Sequence, residues 1–190
     1  MSIILASASP RRKELLEMLE IKDLKIIPAR GEEIAPENAA PGELVEALSL
    51  AKAKEVALRC AGDDVIIAAD TVVAFEGRIF GKPHSKEQAK EMLTALSGKY
   101  HQVYTGVTVI KDGAAHCRSL MTAVKFREMT DREIAAYIAT GEPMDKAGAY
   151  GAQGKGALFV ERIDGDFFNV MGLPVCMLGQ MLTELGVKVL

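Results

Sequence analysis

The sequence predicts an α/β protein, and three observations carry that expectation. Residues 65–75, VIIAADTVVAF, are almost all apolar, β-branched or small, the composition of a strand buried on both faces. At the N-terminus a short apolar strand runs through a small-residue loop into a helix. Further along, helix-period segments opened by capping boxes alternate with strand-like runs.

Taken in order, residues 2–6 read as the first strand, followed by Ser7-Ala8-Ser9-Pro10-Arg11-Arg12. Ser9 suits an N-cap and Pro10 the first helical position, so a helix is expected through Leu19, with Leu15, Leu16, Met18 and Leu19 on its apolar side. Free N–H groups, the positive helix end, the hydroxyls of Ser7 and Ser9 and the guanidiniums of Arg11 and Arg12 would then converge, which suits phosphate. An ordinary capped helix with two solvated arginines fits the same six residues. Residues 24–27 read as a strand and 28–41 as a loop holding Gly31-Glu32-Glu33. Glu33 there is either a divalent-metal ligand or part of a solvated acidic loop. Residues 43–60 form a long helix with Leu44, Val45, Leu48, Ala51 and Val56 inward. Lys52 beside Ala51 either faces the interior or snorkels.

Asp70 and Thr71 lie in the middle of the apolar strand. A carboxylate is rarely buried unless a cation, a metal or a set of donors faces it. Glu76-Gly77-Arg78 makes a turn, and the return through Ile79-Phe80 to Gly81-Lys82-Pro83 brings Lys82 back towards Asp70. An ion pair that merely fixes strand register is the alternative. Ser85-Lys86-Glu87-Gln88 opens a helix carrying Ala89, Met92, Leu93 and Leu96, closed by Ser97-Gly98. Residues 100–110 and 114–126 are two strands with a turn between them. Thr130-Asp131-Arg132-Glu133 opens a helix carrying Ile134, Tyr137 and Ile138, which ends at Gly141. Residues 141–174 are glycine-rich but hold neither a P-loop nor a GxGxxG motif. Within them, 157–163 read as a strand and 164–166 as a turn. Residues 175–185 are a closing helix with Met177, Leu178, Met181 and Leu182 inward.

At 190 residues the chain can bury one substantial core or two closely packed lobes, and no linker divides it, so residues 1–190 read as a single domain. A net charge of −3 gives no broad nucleic-acid surface, and 5% aromatics without Trp give no base-stacking platform. No apolar run reaches the ~20 residues of a membrane span. In MSIILASASPRR the basic residues follow the apolar run, the reverse of a secretory signal. Cys60, Cys117 and Cys176 are odd in number and far apart, which points to a reducing cytoplasm rather than a disulfide framework. His84, His101 and His116 have no metal-ligand spacing.

LASASPRRKELLEML near the start, AADTVV and GKP in the middle, and EPMDKAGAYGAQGKGALFVERIDGDFFNVMGLP near the end together resemble the Maf family of nucleoside triphosphate pyrophosphatases. ALSLAKAKEVA resembles that family's lysine-bearing helix, with Lys52 at the matching position. The resemblance covers nearly the whole chain in the right order. It implies a curved mixed β-sheet flanked by helices, with two lobes around a cleft, similar to the inosine triphosphatase fold. It implies hydrolysis of a nucleoside triphosphate to the monophosphate and pyrophosphate with Mg or Mn, a homodimer and a cytoplasmic location. The family's proton acceptor falls on Asp70, and an acidic family position falls on Glu33. The positions that separate the subfamilies fall on Arg12, Thr71 and Gln153, and they match the branch that prefers dTTP and UTP.

On the side-chain chemistry, Asp70 and Glu33 are the expected metal ligands, and Asp70 is also expected to activate the attacking water. Ser7, Ser9, Arg11, Arg12, Lys52 and Lys82 would hold the phosphates. The Gln153 amide can match the carbonyl and adjacent N–H of uracil or thymine. A non-catalytic nucleotide-binding regulator of septum formation and cell division is the alternative. A monophosphatase is a further one, although no DxDxT nucleophile motif is present.

Overall fold

The computed structural model describes residues 2–21, 23–31 and 34–188. Strands β1 (Ile3–Leu5), β2 (Leu24–Ile26) and β3 (Val65–Phe75) alternate with helices α1 (Pro10–Met18) and α2 (Pro41–Ala57). Next come β4 (Arg78–Phe80), α3 (Lys86–Leu96), β5 (Tyr100–Lys111), β6 (Ala114–Phe126) and α4 (Asp131–Ala139). Three short 3₁₀ turns follow, Glu142–Asp145, Ala147–Ala149 and Lys155–Phe159. β7 (Val160–Asp164), α5 (Phe167–Met171) and α6 (Val175–Glu184) close the chain. The seven strands form one mixed sheet in the order β2-β1-β3-β5-β6-β7, with β4 on β3. β1 runs parallel to β2 and to β3, whereas β3–β4 and β6–β7 are antiparallel.

The chain folds into two compact units. The first is Met1–Asp70, Thr105–Leu120 and Gly172–Leu190, and the second is Thr71–Tyr104 and Met121–Met171. In the first, Ile4, Ala6, Ile66 and Ala68 from the parallel strands pack with Ala53 and Val56 of α2 and with Ile110. Each fully buried Ile or Val side chain there contributes roughly 1.5–3 kcal/mol over an exposed one. In the second, α3 and α4 place Leu93, Leu96 and Ile134 against Phe126, Tyr150 and Phe159.

Local chemistry explains most boundaries. Ser85 caps α3 by accepting from the Gln88 N–H at 3.1 Å. Thr130 and Glu133 form a reciprocal box on α4, each side chain accepting from the other's backbone N–H. The β3–β4 hairpin turns through Glu76 and Gly77, both at positive φ (47° and 74°), as a two-residue turn between twisted strands requires. Asp112 and Gly113 do the same between β5 and β6 (50° and 78°).

Several expectations are corrected. α2 runs Pro41–Ala57, not 43–60, and buries Ser49 and Ala53 while Ala51 is exposed. Leu44, Val45, Leu48 and Val56 are inward as expected, and Ser49 and Ala53 rather than Ala51 complete the buried face. Met18 is 54% exposed rather than inward. The strand expected from residue 157 begins at Val160, because 157–159 complete a 3₁₀ turn. α5 was not expected. It starts because the Asp166 carboxylate accepts from the N–H groups of Phe168 (2.7 Å) and Asn169 (3.2 Å).

Candidate functional site

In the first unit the parallel register pairs Leu5, the last residue of β1, with Ile67, and β3 runs on past the end of β1 through Asp70. Ser7 lies two residues past Leu5 on β1, and Asp70 three past Ile67 on β3. Ligands of parallel sheets gather beyond the carboxyl ends of strands, and here that is where β1 stops. Ser7 and Asp70 are both buried, at 9% and 8% exposure. Asp70 Oδ1 accepts from Lys52 Nζ at 2.5 Å. Lys52 reaches it from α2, where residues 45, 49, 52 and 56 share one face. The spacing Val45, Ser49, Lys52, Val56 is the sequence signal that marks Lys52 as inward.

The N-terminal loop is tied together by Arg12 and Ser7. The Ser9 N–H donates to Ser7 Oγ at 3.2 Å, and Arg12 Nη1 donates to the same oxygen at 3.3 Å. Arg12 Nε donates to the carbonyl of Gly172 at 2.8 Å, which fixes the plane of its guanidinium. Ser9 is the N-cap of α1, but its side chain makes no capping hydrogen bond. Arg11 is half-buried on the first turn. Glu33, the second expected carboxylate, lies outside the described residues.

The remaining site residues belong to the second unit. Thr71 is half-buried and continues β3. The hairpin was expected to bring Lys82 towards Asp70; within the first unit the Asp70 carboxylate pairs with Lys52. The β3–β4 ladder ends at the Val73–Phe80 pair, and Lys82 is an exposed residue two positions beyond it. Gln153 is exposed on a turn in the glycine-rich segment, where the Gly154 N–H donates to the Gly151 carbonyl at 3.3 Å.

A family model described as Maf-like protein matches residues 2–185. The chain belongs to the Maf-like family. A dTTP/UTP pyrophosphatase of Moorella thermoacetica is 50% identical over 192 residues, covering 98% of this chain and 96% of that protein. A dTTP/UTP pyrophosphatase of Alkaliphilus metalliredigens is 48% identical over 182 residues, covering 95% and 94%. The solved Ham1 protein of Staphylococcus aureus superposes with a TM-score of 0.53 at 13% identity, covering 97% of this chain and 99% of that one. The last likeness concerns the fold alone.

The structure of this Maf-like protein also shows a cluster that residue-by-residue reading missed. Glu142 of the first 3₁₀ turn accepts from the Lys155 N–H (2.9 Å), the Gly156 N–H (3.1 Å) and the Tyr137 hydroxyl (2.9 Å). Its backbone carbonyl accepts from Lys146 Nζ at 2.8 Å. Burial alone would raise the Glu142 carboxyl, but the N–H groups of Lys155 and Gly156 and the Tyr137 hydroxyl hold it below the usual carboxylate range. Burial pushes the Tyr137 hydroxyl up, so it stays protonated and able to donate. The sequence signal was the close glycine spacing in GAYGAQGKG, which lets backbone amides crowd one acceptor.

Among the described residues, no three His, Cys, Asp or Glu side chains gather as a metal cage. No helix among them is long and apolar enough to cross a membrane.

Proposed function

We propose that this Maf-like chain hydrolyses dTTP and UTP to the nucleoside monophosphate and pyrophosphate. The observation that carries the reading is the Asp70–Lys52 pair on β3 just past the end of β1, together with the Ser7–Arg12 contact in the loop that follows β1. The two relatives named dTTP/UTP pyrophosphatase, matched over nearly their full length, support the choice of substrate.

The chemistry follows from the side chains. A triphosphate carries about four negative charges, which must be offset before a water oxygen can approach the α-phosphorus. Lys52, Lys82, Arg11 and Arg12 supply cations, and Ser7 and Ser9 supply hydroxyls to phosphate oxygens. Asp70 accepts the proton of the attacking water. The new bond joins that oxygen to the α-phosphorus, the bond from the α-phosphorus to the bridging oxygen breaks, and pyrophosphate departs with the electron pair. Arg12, Thr71 and Gln153 set base preference, with the Gln153 amide meeting the carbonyl and N–H edge of the pyrimidine.

A divalent ion fits this donor set. Mg binds through one or two carboxylates and completes its shell with substrate phosphates and water, and the buried carboxylate of Asp70 suits that role. Asp70 would hold it, with Glu33 as the second ligand, and when bound it neutralises phosphate charge. We assign all 190 residues to one domain. The reading includes a homodimer in a reducing cytoplasm, and the free thiols of Cys60, Cys117 and Cys176 suit that compartment.

The test is a panel of nucleoside triphosphates scored for pyrophosphate release. Asp70→Asn should keep the circular dichroism spectrum and lose roughly a hundredfold or more in turnover, as expected for a lost general base. Near-normal turnover in that variant would remove Asp70 from the chemistry. Release of orthophosphate would point to a phosphatase, and tight nucleotide binding without any release to a non-catalytic binder.

A further inference from the structure

We propose that Glu142 and Tyr137 are positioning residues that hold the turn bearing Gln153 and thereby set the discrimination between pyrimidine bases. The inference rests on the base-reading role given to Gln153 above.

Gln153 occupies the turn Gly151-Ala152-Gln153-Gly154, and both ends of that turn are fastened to one carboxylate. On its C-terminal side the next two backbone amides, of Lys155 and Gly156, donate to Oε2 and Oε1 of Glu142 (2.9 and 3.1 Å). On its N-terminal side the Gly151 N–H donates to the Tyr137 hydroxyl (3.1 Å), which in turn donates to Glu142 Oε1 (2.9 Å). The fit leaves no space for side chains. A Cβ on Gly154 would stand 2.6 Å from Glu142 Cδ, one on Gly156 2.6 Å from the Tyr137 hydroxyl, and one on Gly151 2.6 Å from Lys146 Cε. The amide of Gln153 therefore hangs from a turn whose path is set by a side chain eleven residues earlier, at the start of the first 3₁₀ turn.

The clamp depends on a full carboxylate. Three donors meet two anionic oxygens, and such charge-assisted bonds are about twice as strong as neutral ones. Replacing one oxygen with an NH₂ group would set donor against donor at Lys155 or Gly156. The turn would shift, and the hydrogen-bonding edge of Gln153 would shift with it. Discrimination between uracil and cytosine, which differ at the 4-position, is the property most exposed to that movement.

The experiment measures kcat/KM for UTP and CTP in the wild type, Glu142→Gln, Tyr137→Phe, Gln153→Ala and the double variant E142Q/Q153A, with melting temperatures alongside. Glu142→Gln should lower the UTP-to-CTP ratio about tenfold, the scale of one lost charge-assisted hydrogen bond. Tyr137→Phe should lower it in the same direction and serves if Glu142→Gln does not fold. In the Gln153→Ala background Glu142→Gln should change the ratio no further, because both act through one amide. Equal losses on UTP and CTP with an unmoved ratio, or a further fall in the double variant, would overturn the positioning role while leaving the base-reading role of Gln153 standing. An unchanged ratio in Gln153→Ala would overturn the base-reading role itself, and this inference with it.

Discussion

At position 101 a histidine is 2% exposed in the core of the second unit. Its ring meets Phe126 and Tyr150 edge-on, with centroids 4.8 and 5.3 Å apart, and Nε2 is 2.8 Å from the Tyr150 hydroxyl. Nδ1 has no hydrogen-bond partner among the described residues. Burial pushes the imidazole down to about 4. The unfolded chain takes up this proton near pH 6.5 and the folded chain resists it until about 4. Stability from this residue is therefore complete above pH 6.5 and declines as pH falls towards 4, by something on the order of 3 kcal/mol. Urea denaturation at pH 7, 5.5 and 4.5 checks this. His101→Leu should flatten the decline, and an equal slope in both proteins would assign it to other groups. A carboxylate in an apolar strand was legible as a special residue, but its partner was not. Lys52 on a helix face and Lys82 on a hairpin were both candidates in the sequence, and packing within the first unit puts Lys52 on the carboxylate.

At the scale of elements, Gly106 in β5 decides how closely α2 can approach the sheet. A Cβ there would lie 2.7 Å from the Glu46 amide nitrogen and closer still to the Val45 carbonyl, so helix backbone lies directly on strand backbone. Hydrogen bonds pin the same contact: Ser49 Oγ with Thr108 Oγ1 at 2.8 Å, and Ser119 Oγ to Glu46 Oε1 at 2.6 Å. Lys52 lies six residues past Glu46 on this helix, about 9 Å along its axis. Gly106→Ala should push α2 outward, destabilise the fold by roughly 1–3 kcal/mol and reduce turnover as Lys52 moves off Asp70. Thermal melting read beside kcat checks it, and a variant that melts as the wild type with full kcat would show that the helix has slack. A glycine in a strand announces close approach, but not of what, so this contact was invisible in the sequence. The 3₁₀ turns from Glu142 to Phe159 were unreadable for the same reason. Their path follows a carboxylate and a tyrosine hydroxyl rather than any local periodicity.

For the whole molecule, the residues assigned to the reaction divide between the two compact units. Ser7, Ser9, Arg11, Arg12, Lys52 and Asp70 lie in the first, and Thr71, Lys82 and Gln153 in the second. In the proposed reaction, Asp70 holds a divalent ion that also contacts the substrate phosphates. EDTA should abolish pyrophosphate release from UTP, and added Mg or Mn should restore it without a change in melting temperature beforehand. Full activity after exhaustive chelation would remove the metal from the reading.

The sequence by itself determined what is encoded within a few residues. β3 spans the expected residues, Glu76-Gly77 and Asp112-Gly113 turn at positive φ, Ser85 and Thr130 cap their helices, and Ser9-Pro10 opens α1. Caps, tight turns and doubly buried strands are short-range devices whose chemistry is complete inside one window of chain. Tertiary structure alone decided that Lys52 answers Asp70, that α2 rests on Gly106 and that Glu142 gathers the turn of Gln153. Each of those joins residues from separate segments, and burial, register and steric space select among partners that are chemically equivalent on paper.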